Sequence, residues 1–173
     1  MDLFFDILKI TIPAVIVVIA VVYLVNGFLR NSEKLQQMKL MKENQQITLP
    51  LRLQAYERLI LFLERISPDS ILLRANYPDK TSQQLHRELL QNIRAEFEHN
   101  LSQQLYVSIE SWNSVKNARN YTIALINNAA AELEEGVPAI ELSRKILATT
   151  AEMEQSPAQK AIDELKRDIQ QIF

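Results

Sequence analysis

The chain opens on a run from which charged positions disappear. Between Ile10 and Leu29 no residue carries a formal charge, and Lys9 and Arg30 stand at its two ends. At ~1.5 Å per residue a helix of that length is about 30 Å long, the thickness of a bilayer's hydrocarbon core. Pro13 falls in its first turn, where a missing N–H costs least. Phe4 and Phe5 on one side, with Tyr23 and Phe28 on the other, are apolar anchors for the two interfaces. The pattern predicts a transmembrane helix over 10–29 behind a short tail over 1–9. A buried core helix would be oddly uniform for so small a domain. A signal peptide would carry a basic start, whereas Asp2 and Asp6 oppose Lys9 here, although Val25 and Gly27 fit the spacing of a cleavage site.

Residues 31–46 contain no Gly or Pro, so the helix is expected to leave the membrane as a polar stalk over 30–47. Leu35, Met38 and Met41 form only a narrow apolar stripe, too short to specify a coiled coil. A weak dimer seam or a strip lying on headgroups is the alternative.

After residue 47 the pattern becomes that of a packed domain. Thr48 and Pro50 are expected to open a new helix reaching Ile66. Leu51, Leu53, Tyr56, Leu59, Ile60, Leu61, Phe62, Leu63 and Ile66 cover most of its circumference, which demands a central position or a partner. Ser67-Pro68 ends it, Ile71–Leu73 reads as a short helical turn, and Tyr77-Pro78-Asp79 marks a loop. Thr81 with Gln84 is a capping-box pattern before a stripe of Leu89, Leu90, Ile93, Phe97 and Leu101. Ser108 opens the next helix, with Trp112, Val115, Ala118, Ile126, Ala129 and Leu133 on one face and Gly136 as its stop. Pro138 precedes the stripe Ala139, Leu142, Ile146 and Met153. Ser156-Pro157-Ala158-Gln159 caps a final stripe of Ala158, Ala161, Ile162, Leu165, Ile169 and Ile172. No period-2 pattern competes. The expected fold is all-α: an N-terminal transmembrane helix, a polar helical stalk, and a compact soluble bundle of about five helices over 48–173.

Charge adds orientation. Arg30, Lys34, Lys39 and Lys42 follow the apolar run, against Lys9 before it, so the positive-inside rule places the C-terminal domain in the cytoplasm and the N-terminus outside. A net charge of −2, with acids and bases interleaved, gives nucleic acid no footprint. Zero cysteines exclude disulfides, thiolate zinc sites and a cysteine nucleophile. The glycines, Gly27 and Gly136, are too far apart for a phosphate-cradling loop.

Candidate chemistry is thin. His86 and His99 are separated by roughly 20 Å along one helix and cannot share a site within a monomer. Glu96-Phe97-Glu98-His99 has the Glu-x-x-His spacing of di-iron helices, but the matching position before His86 is Gln83. No metal ligand set and no cofactor are expected. His86 and Asn100 project within the apolar arc around Ile93, and are read either as hydrogen-bonded core intrusions or as walls of a polar pocket. Leu53, Ile60 and Phe62 are candidate interface residues if the surrounding helices leave them uncovered.

The strings PLRLQAYERLILFLERI at 50–66 and EFEHNLSQQLYVS at 96–108, with the apolar run, resemble a family of uncharacterised, single-span helical membrane proteins of Bacteroidota. The resemblance implies a bacterial inner-membrane setting and assigns no site residues. The function expected is a non-enzymatic, membrane-anchored adaptor or scaffold holding a protein partner at the cytoplasmic face. An enzyme or small-ligand sensor using a bundle pocket, and a self-assembling membrane organiser, are the alternatives. The expected partners are the lipid bilayer and an unidentified protein or a second copy, not nucleic acid.

Overall fold

The computed structural model describes the backbone of residues 2–75 and 79–171; within that range the side chains of residues 2–20 and of Asn44 are not described. The elements are α1 (Asp2–Ile66), α2 (Pro68–Arg74), α3 (Ser82–Asn100), a 3-10 turn (Leu101–Leu105), α4 (Ile109–Ala131), α5 (Ala139–Ala151) and α6 (Pro157–Gln170). No strand occurs among the described residues, and the all-α class is the observed one. An isolated antiparallel bridge joins Thr81 to Pro138. The chain divides into two compact units, Met1–Leu49 and Pro50–Phe173.

The first unit is helical through residue 49. Its described side chains are exposed apart from Ser32 and Leu49, which are half-buried, and Leu35, Met38 and Met41 of the expected stalk stripe are among the exposed ones. Among the described residues no helix is long and apolar enough to cross a membrane. Residues 10–20 of the span expected over 10–29, together with Pro13, Phe4 and Phe5, lie outside the residues whose side chains are described.

The helix break expected at Thr48 and Pro50 is absent: α1 keeps helical geometry from Asp2 to Ile66. Proline's fixed φ is itself helical. What it loses is one i to i−4 hydrogen bond, so the ring is costly at position 50 without forcing a chain reversal.

The second unit packs one apolar core. Tyr56, Leu59, Phe62, Leu63 and Ile66 from the end of α1 meet Leu85, Leu89 and Ile93 of α3, Val115 and Ile126 of α4, Leu142 and Ile146 of α5, and Leu165 of α6. Helix α4 is the hub, packing on α6 most extensively and also on α3 and α5. The end of α1 runs antiparallel to α3: Arg52 reaches the Tyr106 carbonyl, the Phe62 ring lies 5.9 Å from that of Phe97, and Arg65 pairs with Glu96. Phe97 also stacks on Trp112 at 5.5 Å and carries the Arg119 guanidinium 4.0 Å above its ring, so an aromatic ladder crosses from α1 through α3 to α4.

Caps fix where these helices begin. Thr81 and Gln84 form the full reciprocal box, each side chain bonding the other's backbone N–H. Ser108 accepts from Ser111 N, and Ser156 from Gln159 N. The box expected at Ser156 forms only that half, because the Gln159 amide turns to Asp163 instead, at 2.9 Å. Helix α4 stops at Ala131, short of Gly136, which takes φ 80 in the turn that follows. Ile172 of the final stripe, and Tyr77 and Pro78 of the expected loop, lie outside the described residues.

Candidate functional site

The residues singled out from the sequence do not converge. His86 is half-buried on α3, with Nε2 2.7 Å from Asn127 Oδ1 on α4. Asn100 ends α3, 7% exposed, and its amide donates to the Glu96 carbonyl one turn back at 2.8 Å. The two are roughly 20 Å apart along the helix. His86 is a cross-helix clamp, while Asn100 bonds back within α3 where that helix gives way to the 3-10 segment. Of the candidate interface residues, Phe62 is 1% exposed in the core, Ile60 packs partly against it, and Leu53 is half-buried. The exposed large apolar residues of that stretch are Leu51 and Leu61, at 44% and 50%.

Two polar constellations stand out instead. The first surrounds Asp168 on α6. Its Oδ2 accepts the hydroxyls of Tyr56 at 2.8 Å, Ser108 at 2.5 Å and Ser111 at 2.6 Å, and the Ser108 N–H at 3.3 Å. One carboxylate oxygen thus ties α1, α4 and α6 together. Burial pushes the Asp168 carboxyl up, but the hydrogen bonds from Ser108, Ser111 and Tyr56 outweigh it and hold the pKa below its ordinary 3.8. The Tyr56 phenol moves the other way, raised first by burial and then by its bond to Asp168. A carboxylate so saturated with donors is a weak base at neutral pH. It is a strut rather than a general base.

The second is an open cleft of about 390 Å³ where α2 meets α3, lined by Arg65, Arg74, Asn92, Glu96 and His99 among others. A smaller hollow of about 140 Å³ shares Arg65, Glu96 and His99 with it and adds Arg58 and Asn100. Arg65 Nη1 straddles the Glu96 carboxylate at 3.2 and 3.3 Å, and Arg74 Nη1 approaches the same group at 3.6 Å. Arg74 is held from behind, with Nη2 2.5 Å from the Arg65 carbonyl and Nε 3.3 Å from that of Ser70. It thereby satisfies a carbonyl in the last turn of α1, a position where a cation also complements the helix dipole.

Sequence reasoning reached Glu96, His99 and Asn100 but not the arginines that face them. The available signal was the spacing of Arg58 and Arg65, two turns apart on one helix face, with Arg74 just past the Ser67-Pro68 break. Asp168 had its own signal: it stands one turn beyond Leu165 and so borders the apolar face of α6. Among the described residues no cluster of His, Asp and Glu could hold a metal ion, Glu96 and His99 included.

No curated protein and no solved structure matches this chain. A family model does match, over residues 2–172, and the chain belongs to the family it describes, a family of unknown function (DUF7935).

Proposed function

We propose that the protein is a single-span, non-enzymatic helical adaptor holding a protein partner at the cytoplasmic face of a bacterial inner membrane, with its N-terminus outside. One observation carries the reading. Along α1, Val21, Val22, Tyr23, Leu24, Val25, Phe28 and Leu29 are exposed to between 49% and 79% of their surface, and they point in every direction around the helix. Nine-residue stretches so apolar on all sides have no stable home in water. Lipid tails would cover all those faces at once, and the charge-free sequence from Ile10 to Leu29 is long enough to use them. Arg30, Lys34, Lys39 and Lys42 then favour a cytoplasmic domain.

The adaptor role is supported by how the second unit spends its polar groups. Asp168 and His86 hold one element to another and Asn100 closes the last turn of α3, whereas Leu61 and Leu73 remain exposed at 50% and 86% where a partner would find them. A small-ligand sensor is the second reading, favoured by the open cleft beside Arg65 and Glu96.

The test uses the full chain with a tag after Phe173. The protein should sediment with membranes and resist carbonate extraction, and a reporter at the same position should be active in the cytoplasm. Digestion of the domain by protease added to intact spheroplasts would refute the orientation. A specific partner should co-purify with wild type and be lost from a Leu61→Asp, Leu73→Asp variant whose melting temperature is unchanged. Identical partner sets from both would refute the adaptor role of that surface.

A further inference from the structure

The cleft beside α2 collects cations in a way that ion pairing within the domain does not use up. Arg65 and Arg74 line the cleft, Arg58 and Arg65 line the smaller hollow beside it, and Glu96 is the one carboxylate lining both, so among these lining residues three positive charges less one negative leave two uncompensated. Arg58 forms no salt bridge among the described residues. We propose that the hollow and the cleft beside it together bind a phosphate-bearing ligand, with Arg58 and Arg65 gripping the phosphate in the hollow, Arg74 fixing Arg65 and Glu96 in place from the cleft side, and Glu96 acting as an internal competitor. The proposal goes beyond the adaptor reading and does not depend on it.

Geometry and charge point the same way. A guanidinium offers a planar fork of donors that matches two phosphate oxygens, and Arg65 meets Glu96 through Nη1, on one edge of its fork. The Arg65 and Arg74 side chains are 56% and 47% exposed, so they are reachable from solvent, while Glu96 lies deeper at 21%. An excess of two positive charges suits a phosphomonoester dianion better than a single carboxylate. Asn92 and His99 supply further polar groups on the α3 wall. The hollow of about 140 Å³ has room for the anion, and the adjoining cleft of about 390 Å³, which shares Arg65, Glu96 and His99 with it, has room for the organic part. Both a soluble phosphomonoester and an anionic lipid headgroup carry this chemistry.

The two histidines supply an internal control, since His99 lines the cleft and His86 is held by Asn127 on another face of the bundle. The full chain, labelled with 15N at its histidine rings, is titrated in neutral detergent at constant ionic strength. Inorganic phosphate is one probe; phosphatidylcholine bilayers with and without phosphatidic acid are the other. A saturable shift at His99 with His86 unmoved is the expected result. A response to inorganic phosphate identifies a soluble ligand class, and a response confined to phosphatidic acid identifies a headgroup. Arg58→Gln and Arg65→Gln should each weaken binding by about tenfold. Glu96→Gln should strengthen it by roughly threefold or more, a gain that a merely structural Arg65–Glu96 pair would not produce. If Arg65→Gln perturbs the fold, visible as a change at His86, Arg58→Gln still decides, because Arg58 forms no salt bridge among the described residues. The proposal fails if His99 is unmoved by both probes, if His86 shifts equally, or if Arg58→Gln leaves the titration unchanged.

Discussion

Ser108, Ser111 and Tyr56 all aim hydroxyls at one oxygen of Asp168, and the consequences of that arrangement are measurable one side chain at a time. Ser111 and Tyr56 are 0% and 1% exposed, so removing their acceptor leaves donors with no route to water. Asp168→Ala should therefore cost about 2–4 kcal/mol at neutral pH, and Asp168→Asn less, since the amide keeps an acceptor but gives up the charge. The pH dependence has a definite sign. The Asp168 pKa is lowered on folding, so its contribution is fully present above the ordinary 3.8 and is lost as pH falls through the lower folded value. Denaturant midpoints of wild type should fall across that acid range, and the part of the fall due to Asp168 should be missing from Asp168→Asn. A wild type and variant with parallel acid profiles would show that the strut carries no linkage. At this scale the sequence was only partly legible. Local partners such as Thr81 with Gln84 lie three residues apart and can be read from spacing. Tyr56 and Asp168 are brought together across 112 positions by the packing of whole helices, and no local pattern encodes that.

Helices were the most legible level, because each carries its own period and its own punctuation. The stripe of α6 was read from 3.6-residue spacing, and Ala158, Ala161, Ile162 and Leu165 are all buried. Leu165 is 0% exposed, so Leu165→Asp should cost about 3–5 kcal/mol by placing an unpaired charge in the core, one turn from Asp168. A melt unchanged by that substitution would mean α6 is not packed on α4. The end of α1 was harder. Its apolar residues cover too much of the circumference for periodicity to say which side faces inward. Phe62 is in the core at 1% exposure while its neighbour Leu61 is open at 50%. Adjacent substitutions should accordingly diverge: Phe62→Ala is expected to cost about 3–5 kcal/mol through a core cavity, and Leu61→Ala to stay within roughly 0.5 kcal/mol. Thermal melts of the pair would decide it, with equal shifts counting against the placement. The continuation of α1 through Pro50 escaped sequence reasoning for a different reason. Proline is a probabilistic signal, and it removes a hydrogen bond without dictating a new helix start.

For the whole molecule, the division at Leu49 and Pro50 separates two kinds of surface. Before it, Val21–Val25, Phe28 and Leu29 lie open. After it, core residues from α1 to α6 close on one another, and among the described residues no buried side-chain nitrogen or oxygen lacks a partner. A unit whose apolar stripes and buried polar groups are satisfied internally has what it needs to fold without lipid, metal or disulfide. Residues 50–173 expressed alone should be soluble in buffer, strongly helical by circular dichroism, and lose structure in one cooperative transition. Chelator should not move that transition. On the membrane reading the full chain should need detergent or bilayer, because so large an exposed apolar run would otherwise drive self-association in water. The decisive comparison is between the melting temperature of the fragment and that of the same unit in the detergent-solubilised full chain. Agreement within a few degrees would mean that the bundle's stability is its own. A fragment that aggregates or melts without cooperativity would mean that the first unit contributes packing the second cannot do without, and the division at residue 50 would not be a folding boundary.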